Sequence, residues 1–294
     1  MAHSPGLRRW VERSALARPL TSRFISGATL DEGLSVASHL HRQGISATLD
    51  RLGENVQTEA EASIATEAYL RALERIAGTG TGATVSGKLT QFGLDVSDKV
   101  CVRNAMRIAA CARQTGSRLE VDMEGSPYTQ RTLEIVHQLH AAHQSVRAVI
   151  QAYLYRSVQD IAALNAARIP VRLCKGAYNE PPSIAYPKKR DVDENFLSLA
   201  SVLLVEGVDP ALATHDAAMI SATRSFASSK GLTSDVFEFQ MLFGIRRDLQ
   251  QEVVQHGYRL RVYVPYGEAW YPYFMRRMAE RPANLLFVLR NLFR

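Results

Sequence analysis

The 294-residue sequence contains few cysteines and no long apolar stretch. Its three cysteines, Cys101, Cys111 and Cys174, lie far apart and without metal-ligand spacing, which indicates reduced thiols in a reducing compartment. No apolar run approaches the roughly 18 residues of a transmembrane helix, and the N-terminus lacks the apolar core of a secretory signal. These absences predict a cytoplasmic protein without a disulfide framework.

Motifs of several functional classes are missing as well. No glycine-rich dinucleotide fingerprint follows the first predicted strand, and no Gly-x-Ser-x-Gly turn of a serine hydrolase occurs. The net charge is +6, but the basic residues are mostly dispersed and resemble no zinc finger, RNP motif or recognition helix. Binding of nucleic acid is therefore not expected. His215 and Asp216 could begin a metal site, but no further ligands stand at a suitable spacing.

What the sequence does contain is a regular alternation of short apolar strands and amphipathic helices. Hydrophobic residues make up 46% of the chain and charged residues 22%, which is typical of a soluble globular protein with a large core. The predicted strands cover residues 47–50, 83–90, 118–124, 146–153, 171 to the turn at Gly176, 211–215, 236–242 and 259–265. We therefore predict an α/β fold, a (βα)8 TIM barrel over residues 45–294, with a doubly wound open sheet as the alternative.

Residues 1–44 are predicted to form a helical segment ahead of the barrel. Its first part is basic and amphipathic, with Arg8, Arg9 and Arg13 around Trp10. Such a stretch is more often a solvated helix that caps the fold. It can also attach a protein to an anionic membrane surface, and the sequence leaves both interpretations open.

Polar residues stand near the carboxyl end of every predicted strand, where barrel enzymes have their active sites. In chain order they are Asp50, Lys88, Asp122, Gln151, Arg172 with Lys175, His215, Glu238 with Gln240, and Tyr263. Cations occur at two of these strand ends, and they are costly to bury without an anionic partner. Packing explains a polar residue at one strand end but not at all of them, so we predict a functional mouth. Glu120 and Glu124 share a strand face with Asp122 and are interpreted as ion-pair partners.

The predicted last helix, residues 268–290, can contribute to the same site. Tyr273, Arg276, Arg277 and Glu280 recur at helical spacing and share one face. The adjacent arginines could clamp a carboxylate through bidentate hydrogen bonds, with Glu280 holding both. The alternative is a charged stripe that faces water.

Several short motifs along the barrel carry a resemblance to a known family. They are Leu49-Asp-Arg-Leu-Gly-Glu54, Lys88-Leu-Thr90, Arg172-Leu-Cys-Lys-Gly-Ala-Tyr178, Ala213-Thr-His-Asp216, Phe237-Glu-Phe-Gln-Met-Leu-Phe-Gly244, Tyr263-Val-Pro-Tyr-Gly267 and Arg276-Arg277-x-x-Glu280. Together they extend from about residue 45 to the end and are far more specific than any one of them. On these motifs the sequence resembles the bacterial monofunctional proline dehydrogenases.

The resemblance implies a distorted (βα)8 barrel that carries FAD non-covalently at its mouth, with the final helix lying across it. The implied reaction oxidises L-proline to Δ1-pyrroline-5-carboxylate by hydride transfer from the ring carbon beside nitrogen to flavin N5. A membrane quinone would reoxidise the flavin, with peripheral contact at the inner face of the cytoplasmic membrane. A separate pyrroline-5-carboxylate dehydrogenase would perform the next step, because this chain shows no aldehyde dehydrogenase domain.

The resemblance also implies roles for individual residues. The expected catalytic residues are Asp122 and Arg172. The expected substrate-binding residues are Lys88, Tyr178, Leu242, Tyr263, Arg276, Arg277 and Glu280. The expected flavin-binding residues are Met123, Gln151, Arg172, Cys174, Lys175, Gly176, Ala177, Thr214 and His215. Cys174 departs from the family pattern, in which a branched apolar residue is usual, and no metal ion is expected.

Two other functions are compatible with the polar mouth. Lys175 or Lys88 could be the nucleophile of a Schiff-base, aldolase-like barrel enzyme. A catalytically inactive binding module would keep the same residues and bind ligand without turnover. A yellow protein that is bleached by proline distinguishes the expected activity from both.

Overall fold

The strands of the chain close into a parallel barrel in the computed structural model, which describes residues 23–279. Within these residues the strands are β1 (Ser46–Arg51), β2 (Thr84–Lys88), β3 (Leu119–Asp122), β4 (Val146–Gln151), β5 (Val171–Cys174), β6 (Ala211–Ala213), β7 (Glu238–Leu242) and β8 (Arg259–Tyr266). Each strand pairs in parallel with its neighbours in sequence, and β1 also pairs with β8. The predicted eight-stranded barrel is confirmed, and the open sheet is excluded.

Helices connect the strands in the order that the sequence predicts. In the described region they are α1 (Leu30–Arg42), α2 (Glu59–Ala77), α3 (Asp98–Gln114), α4 (Ser126–His143), α5 (Ser157–Ala166), α6 (Lys189–Glu206), α7 (Ala217–Ser229), α8 (Arg247–Gln255) and α9 (Trp270–Ala279). Over residues 23–279, no helix has the length and apolar character needed to cross a bilayer.

Helix α1 packs into the same core as the barrel. A capping box fixes its first turn, because the Thr29 side chain accepts from the Glu32 backbone and the Glu32 carboxylate accepts from the Thr29 backbone. Leu34, Ala37 and Leu40 recur at helical spacing and are buried in the main hydrophobic core. The predicted segment 1–44 thus includes a helix packed on the barrel. Its boundary with the barrel stays a prediction, and residues 1–22 lie outside the described region.

Strand β2 is shorter than predicted. It ends at Lys88, and Leu89–Phe92 forms a 3₁₀ turn instead of continuing the strand to residue 90. The Glu124 carboxylate accepts from the Thr90 backbone N–H at 3.1 Å and from its hydroxyl at 2.7 Å. The prediction of a strand to Thr90 was wrong, because this long-range contact turns the backbone away from the sheet.

Charged side chains fill much of the barrel interior. Near the amino ends of the strands, Arg147 donates to Glu238 Oε1 and to Asp209 Oδ2, both at 2.6 Å. Arg147 also lies 3.3 Å from Glu120, whose other carboxylate oxygen accepts from Arg172 at 2.9 Å. A chain of alternating charges therefore runs along the barrel axis from Asp209 to Arg172, and each charge has an opposite partner.

The structure corrects one residue that the sequence placed at the mouth. Glu238 is the first residue of β7 and therefore lies at the amino ends of the strands. Burial works against its charge, but Arg261 and Arg147 hold the pKa of the Glu238 carboxyl well below its usual range. Gln240, two residues later, donates to Glu238 at 2.8 Å. Glu238 thus belongs to the barrel floor.

Candidate active site

The carboxyl ends of β2, β3 and β8 bring Lys88, Asp122 and Tyr263 together. Asp122 Oδ2 accepts from the Tyr263 hydroxyl at 2.7 Å and lies 3.9 Å from Lys88 Nζ. Asp122 Oδ1 accepts from Ser86 Oγ at 2.7 Å and from the Arg172 guanidinium. Lys88 and Asp122 are direct partners in the register of β2 with β3, so the sheet itself places them side by side.

The charges of this cluster are fixed by their surroundings. Burial opposes ionisation of Asp122, but Arg172 and Lys88 hold the pKa of its carboxyl below the usual value. Burial also opposes the charge of Lys88, yet Asp50 and Asp122 raise the pKa of its ammonium above the usual value. Lys88 is therefore a stable cation that suits carboxylate binding, whereas a Schiff-base nucleophile needs a neutral amine.

Arg172 lies beneath this cluster as a buried cation. It is 5% exposed and is held by Glu120 on one side and Asp122 on the other. Its guanidinium carbon stands 5.4 Å from the centre of the Tyr263 ring, a cation–π contact. The Arg172 guanidinium is thus fixed beneath the mouth between two buried carboxylates.

Neutral side chains lie at the carboxyl ends of β3 to β6. Met123 and Thr214 are buried, and the register of β4 with β5 places Gln151 beside Cys174. Gln151 donates to the Glu124 carbonyl at 3.1 Å and accepts from the Ala177 N–H at 3.2 Å. Burial raises the pKa of the Cys174 thiol to about 11, which keeps it neutral. The strand ends next to Arg172 thus carry side chains without charge.

Gly176 is required by the turn that follows β5. Its φ is +131°, and a Cβ there would come 2.3 Å from the Tyr153 ring. Only glycine tolerates both conditions. The turn packs its backbone against the Tyr153 ring and brings the Ala177 N–H to Gln151.

Lys175 turns toward the surrounding helices. Its ammonium lies 2.5 Å from Asp193 Oδ1 and 3.1 Å from Asp216 Oδ2. Lys189 shares both carboxylates. These partners lie on α6 and just before α7, so Lys175 contributes to the rim of the mouth rather than to its centre.

His215 and Leu242 are joined across the ends of β6 and β7. The Leu242 backbone N–H donates to His215 Nε2 at 2.8 Å. Nε2 is therefore unprotonated, and the ring hydrogen of the neutral imidazole is on Nδ1. This contact joins His215, which follows β6, to the backbone at the end of β7, where Leu242 is the last strand residue.

Tyr178 is held at the rim by the loop between β5 and α6. It is 37% exposed and lies near enough to Lys88 to affect its pKa. Two residues on, Glu180 accepts from the Ser126 backbone N–H at 2.7 Å and from its hydroxyl at 2.6 Å. Since Ser126 begins α4, this pair ties the loop to the barrel and restrains Tyr178.

Helix α9 packs against the carboxyl end of the barrel. Tyr273 and Phe274 are buried in one cluster with Leu52, which follows β1, and Ile245, which follows β7. Arg276 and Arg277 belong to α9, but their side chains, and all of Glu280, lie outside the described residues. The expected carboxylate clamp stays a prediction.

Two buried residues beside Lys88 received no individual role from the sequence, although Asp50 was placed among the strand-end residues of the predicted mouth. Asp50 is 1% exposed and Ser86 is completely enclosed. A signal was present in the sequence, since Ser86 alternates with Thr84 and Lys88 along β2 and all three face inward. Polar residues at such positions must meet partners inside the barrel.

Comparison with known proteins supplies the family. The family model described as proline dehydrogenase matches residues 34–290. The chain belongs to the proline dehydrogenase family. Proline dehydrogenase 1 of Bacillus subtilis (strain 168) is 40% identical over 270 residues, which cover 92% of this chain and 89% of that protein. The proline dehydrogenase of Deinococcus radiodurans is 39% identical over 280 residues, covering 93% and 90%.

A solved structure supports the same fold. Proline utilization A from Bdellovibrio bacteriovorus, inactivated by N-propargylglycine, matches with a TM-score of 0.84 and 26% identity over 90% of this chain and 33% of that larger chain. Proline dehydrogenases are flavin-dependent oxidoreductases that oxidise proline in the first step of its catabolism. The predicted family, fold and enzyme class are therefore confirmed.

Proposed function

We propose that this proline dehydrogenase converts L-proline to Δ1-pyrroline-5-carboxylate with FAD bound non-covalently at the barrel mouth. The observation that carries the proposal is the cluster of Lys88, Asp122 and Tyr263 above Arg172. It offers a fixed ammonium to a carboxylate and an aromatic wall to an apolar ring. Hydride transfer requires such orientation and a dry pocket more than it requires acid–base groups.

The residues at the ends of β3 to β6 fit FAD. Met123, Gln151, Cys174, Thr214 and His215 would line the flavin ring, with Gly176, Ala177 and Lys175 along its edge. When bound, FAD supplies the hydride acceptor. Arg172 would stabilise the negative charge that the ring gains on reduction, because its guanidinium is already fixed by Glu120 and Asp122.

The substrate would bind on the opposite side, toward β1, β2 and β8. Lys88 would contact the proline carboxylate together with Arg276 and Arg277, and Glu280 would support the arginine pair. Asp122 would hold Lys88 in place. Tyr263, Leu242 and Tyr178 would enclose the proline ring.

A visible spectrum tests the proposed function. The purified protein is expected to be yellow and to lose its flavin absorbance when L-proline is added without oxygen. A colourless protein that borohydride traps with a carbonyl substrate would support the Schiff-base alternative instead. Bound flavin that proline does not bleach would support a binding module.

Replacing Arg276 or Arg277 with methionine is expected to raise KM for proline strongly and to leave FAD bound. Each lost charged hydrogen bond costs about 1.5–3 kcal/mol, or roughly tenfold to a hundredfold in KM. Steady-state kinetics and the flavin content of the purified variant measure the two effects. Arg190→Met, an exposed arginine at the start of α6, serves as the control. A normal KM in either test variant contradicts the carboxylate clamp.

We also propose a membrane quinone as the electron acceptor, reached at the inner face of the cytoplasmic membrane. Support comes from the basic residues Arg8, Arg9 and Arg13, which lie outside the described residues. Deleting residues 1–20 is expected to weaken sedimentation with anionic vesicles, with neutral vesicles as the control. Unchanged sedimentation removes the membrane contact. The product would pass to a separate pyrroline-5-carboxylate dehydrogenase, and no nucleic-acid partner is proposed.

A further inference from the structure

Asp50 is a buried carboxyl group beside the substrate site that has no role in the reaction as described so far. It faces the barrel interior at the carboxyl end of β1, in register with Ser86 of β2 and Pro265 of β8. It is 1% exposed. Among residues 23–279, no hydrogen-bond donor reaches its Oδ1. Tyr263 hydrogen-bonds to the same carboxyl group, but Oδ1 lacks the partner that a buried polar atom usually has, which calls for a functional reason.

Asp50 and Asp122 flank the same lysine, but their environments differ. Both oxygens of Asp122 accept hydrogen bonds, and these donors stabilise its charged form. Asp50 lacks that support at Oδ1, and burial raises the pKa of its carboxyl to about 6 against the attraction of Lys88. Asp50 is thus a carboxyl near Lys88 that can change its charge near neutral pH.

The elements packed around Asp50 present charges of both signs to it. The groups whose charges act on it or respond to it are Lys88 of β2, Asp122 of β3, Arg172 of β5, Tyr263 and Tyr266 of β8, and Tyr69 of α2. The two cations favour the carboxylate form, and Asp122 favours the protonated form. The burial of these groups limits water, so the arrival of one more charge changes the balance substantially.

We propose that Asp50 takes up a proton when the substrate carboxylate binds to Lys88. This inference rests on the proposed function, since it takes the proline carboxylate as the ligand. A unit negative charge about 6 Å away, at an effective dielectric constant of about 20, raises the pKa of a carboxyl group by roughly two units. Asp50 then passes from mostly ionised to mostly protonated near neutral pH, and the substrate carboxylate replaces it as a counter-charge of Lys88 beside Asp122.

The proton has a place in the balance of the reaction. Proline enters as a zwitterion, and its ring nitrogen must lose one proton before its lone pair can form the C=N bond. That N–H bond breaks with its electron pair left on nitrogen and its proton released to solvent, and hydride then leaves the adjacent carbon for the flavin. Proton uptake at Asp50 offsets the proton lost from the substrate. Asp50 is thus a positioning residue that acts through Lys88.

Calorimetry on the flavin-loaded protein tests this inference. The probe is cyclopentanecarboxylate, which has the ring and carboxylate of proline but no nitrogen. Titrations in buffers of different ionisation enthalpy are expected to show uptake of about 0.8 proton at pH 7. Affinity is expected to fall by up to about tenfold per pH unit between about pH 6 and pH 8. In Asp50→Asn, both the uptake and this slope are expected to disappear.

Glu124→Gln is the matched control. Glu124 is another buried carboxyl near Lys88 with a raised pKa, caused mainly by burial, but Thr90 donates to both of its oxygens. This variant is expected to keep the proton uptake. If Glu124→Gln loses the proton uptake and Asp50→Asn keeps it, the proton binds to Glu124 and not to Asp50, and the inference is overturned.

The native protein alone provides a decisive measurement. Binding of the carboxylate without proton uptake overturns the inference about Asp50 and leaves the proposed function intact. A protein that neither binds the carboxylate nor is bleached by proline overturns both. Should Asp50→Asn fail to fold, Asp50→Glu replaces it and is expected to keep the uptake over a shifted pH range, and an unshifted range counts against the inference.

Discussion

Replacing Arg147 with methionine is expected to lower the free energy of unfolding by about 3–5 kcal/mol, because buried carboxylates lose a shared cation. Arg147 is completely enclosed and donates to Glu238 and Asp209 at 2.6 Å. It also lies 3.3 Å from Glu120. Methionine fills part of the volume but leaves these negative charges without their counter-charge. Denaturant unfolding of the native and variant proteins measures the difference.

This loss of stability is expected to depend on pH in a defined direction. Burial opposes the charges of Glu120, Asp209 and Glu238, but the surrounding arginines, Arg147 among them, hold the pKa values of these carboxyls below normal. A lowered folded-state pKa gives stability that is present above the unfolded pKa of about 4 and lost as the pH falls toward the folded value. Removing Arg147 raises these pKa values. The difference in free energy of unfolding between the native protein and Arg147→Met is therefore largest at neutral pH and becomes smaller in acid.

An exposed arginine provides the control for this experiment. Arg103 pairs with Glu59 on the surface, where both side chains are more than half exposed. Arg103→Met is expected to change the unfolding midpoint very little, because exposed ion pairs contribute little to stability. Equal destabilisation by both variants would show that the buried ion pairs do not cause the loss of stability. The same conclusion would follow if the loss for Arg147→Met increased in acid.

The barrel could be predicted from the sequence because a local pattern of apolar and polar residues indicates each strand and helix. Alternating apolar positions identify a strand, and a parallel strand followed by a helix has few ways to pack. The predicted strand ends were less accurate where a residue distant in the sequence determines the end. β2 stops at Lys88 because Glu124, two residues beyond the end of β3, accepts hydrogen bonds from Thr90. The residues around Thr90 in the sequence give no indication of its contact with Glu124.

The members of the site could be predicted better than their contacts. Parallel strands bring their carboxyl ends to one edge whatever the loops do, which is why Lys88 and Asp122 were correctly expected at the same mouth. The partners of Lys175 could not be read in the same way. Asp193 and Asp216 lie far along the chain, and the direction of Lys175 depends on the turn at Gly176.

In the barrel interior, too, the charged residues could be predicted better than their partners. Glu120 was expected to be an ion-pair partner, and it is one for Arg172 and Arg147. The sequence suggested no role for Arg147, because an arginine within an apolar strand fits either an edge or a buried network. Only closure of the barrel decides between them, since closure removes every edge and leaves the inward arginine among carboxylates.

Asp122→Asn is expected to lower kcat/KM for proline by about 100-fold, or roughly 2.7 kcal/mol, because one carboxylate holds several parts of the site. Asp122 accepts from Ser86 and Tyr263 at 2.7 Å and neutralises both Arg172 and Lys88. Asparagine keeps the shape but removes the charge and turns one acceptor into a donor. Lys88 and Arg172 then repel each other without a shared anion, so KM is expected to rise and kcat to fall.

Ser86→Ala separates the charge of Asp122 from its hydrogen bonding. Ser86 donates to the same carboxylate oxygen as Arg172, but it is neutral, so its removal is expected to cost only about 1 kcal/mol. Flavin content and the unfolding midpoint of both variants show whether the site is still assembled. If Asp122→Asn binds flavin and keeps a native kcat/KM, the carboxylate contributes to stability alone. If it binds flavin but loses activity about 100-fold while Ser86→Ala does not, the negative charge at this position is what organises the two cations for catalysis.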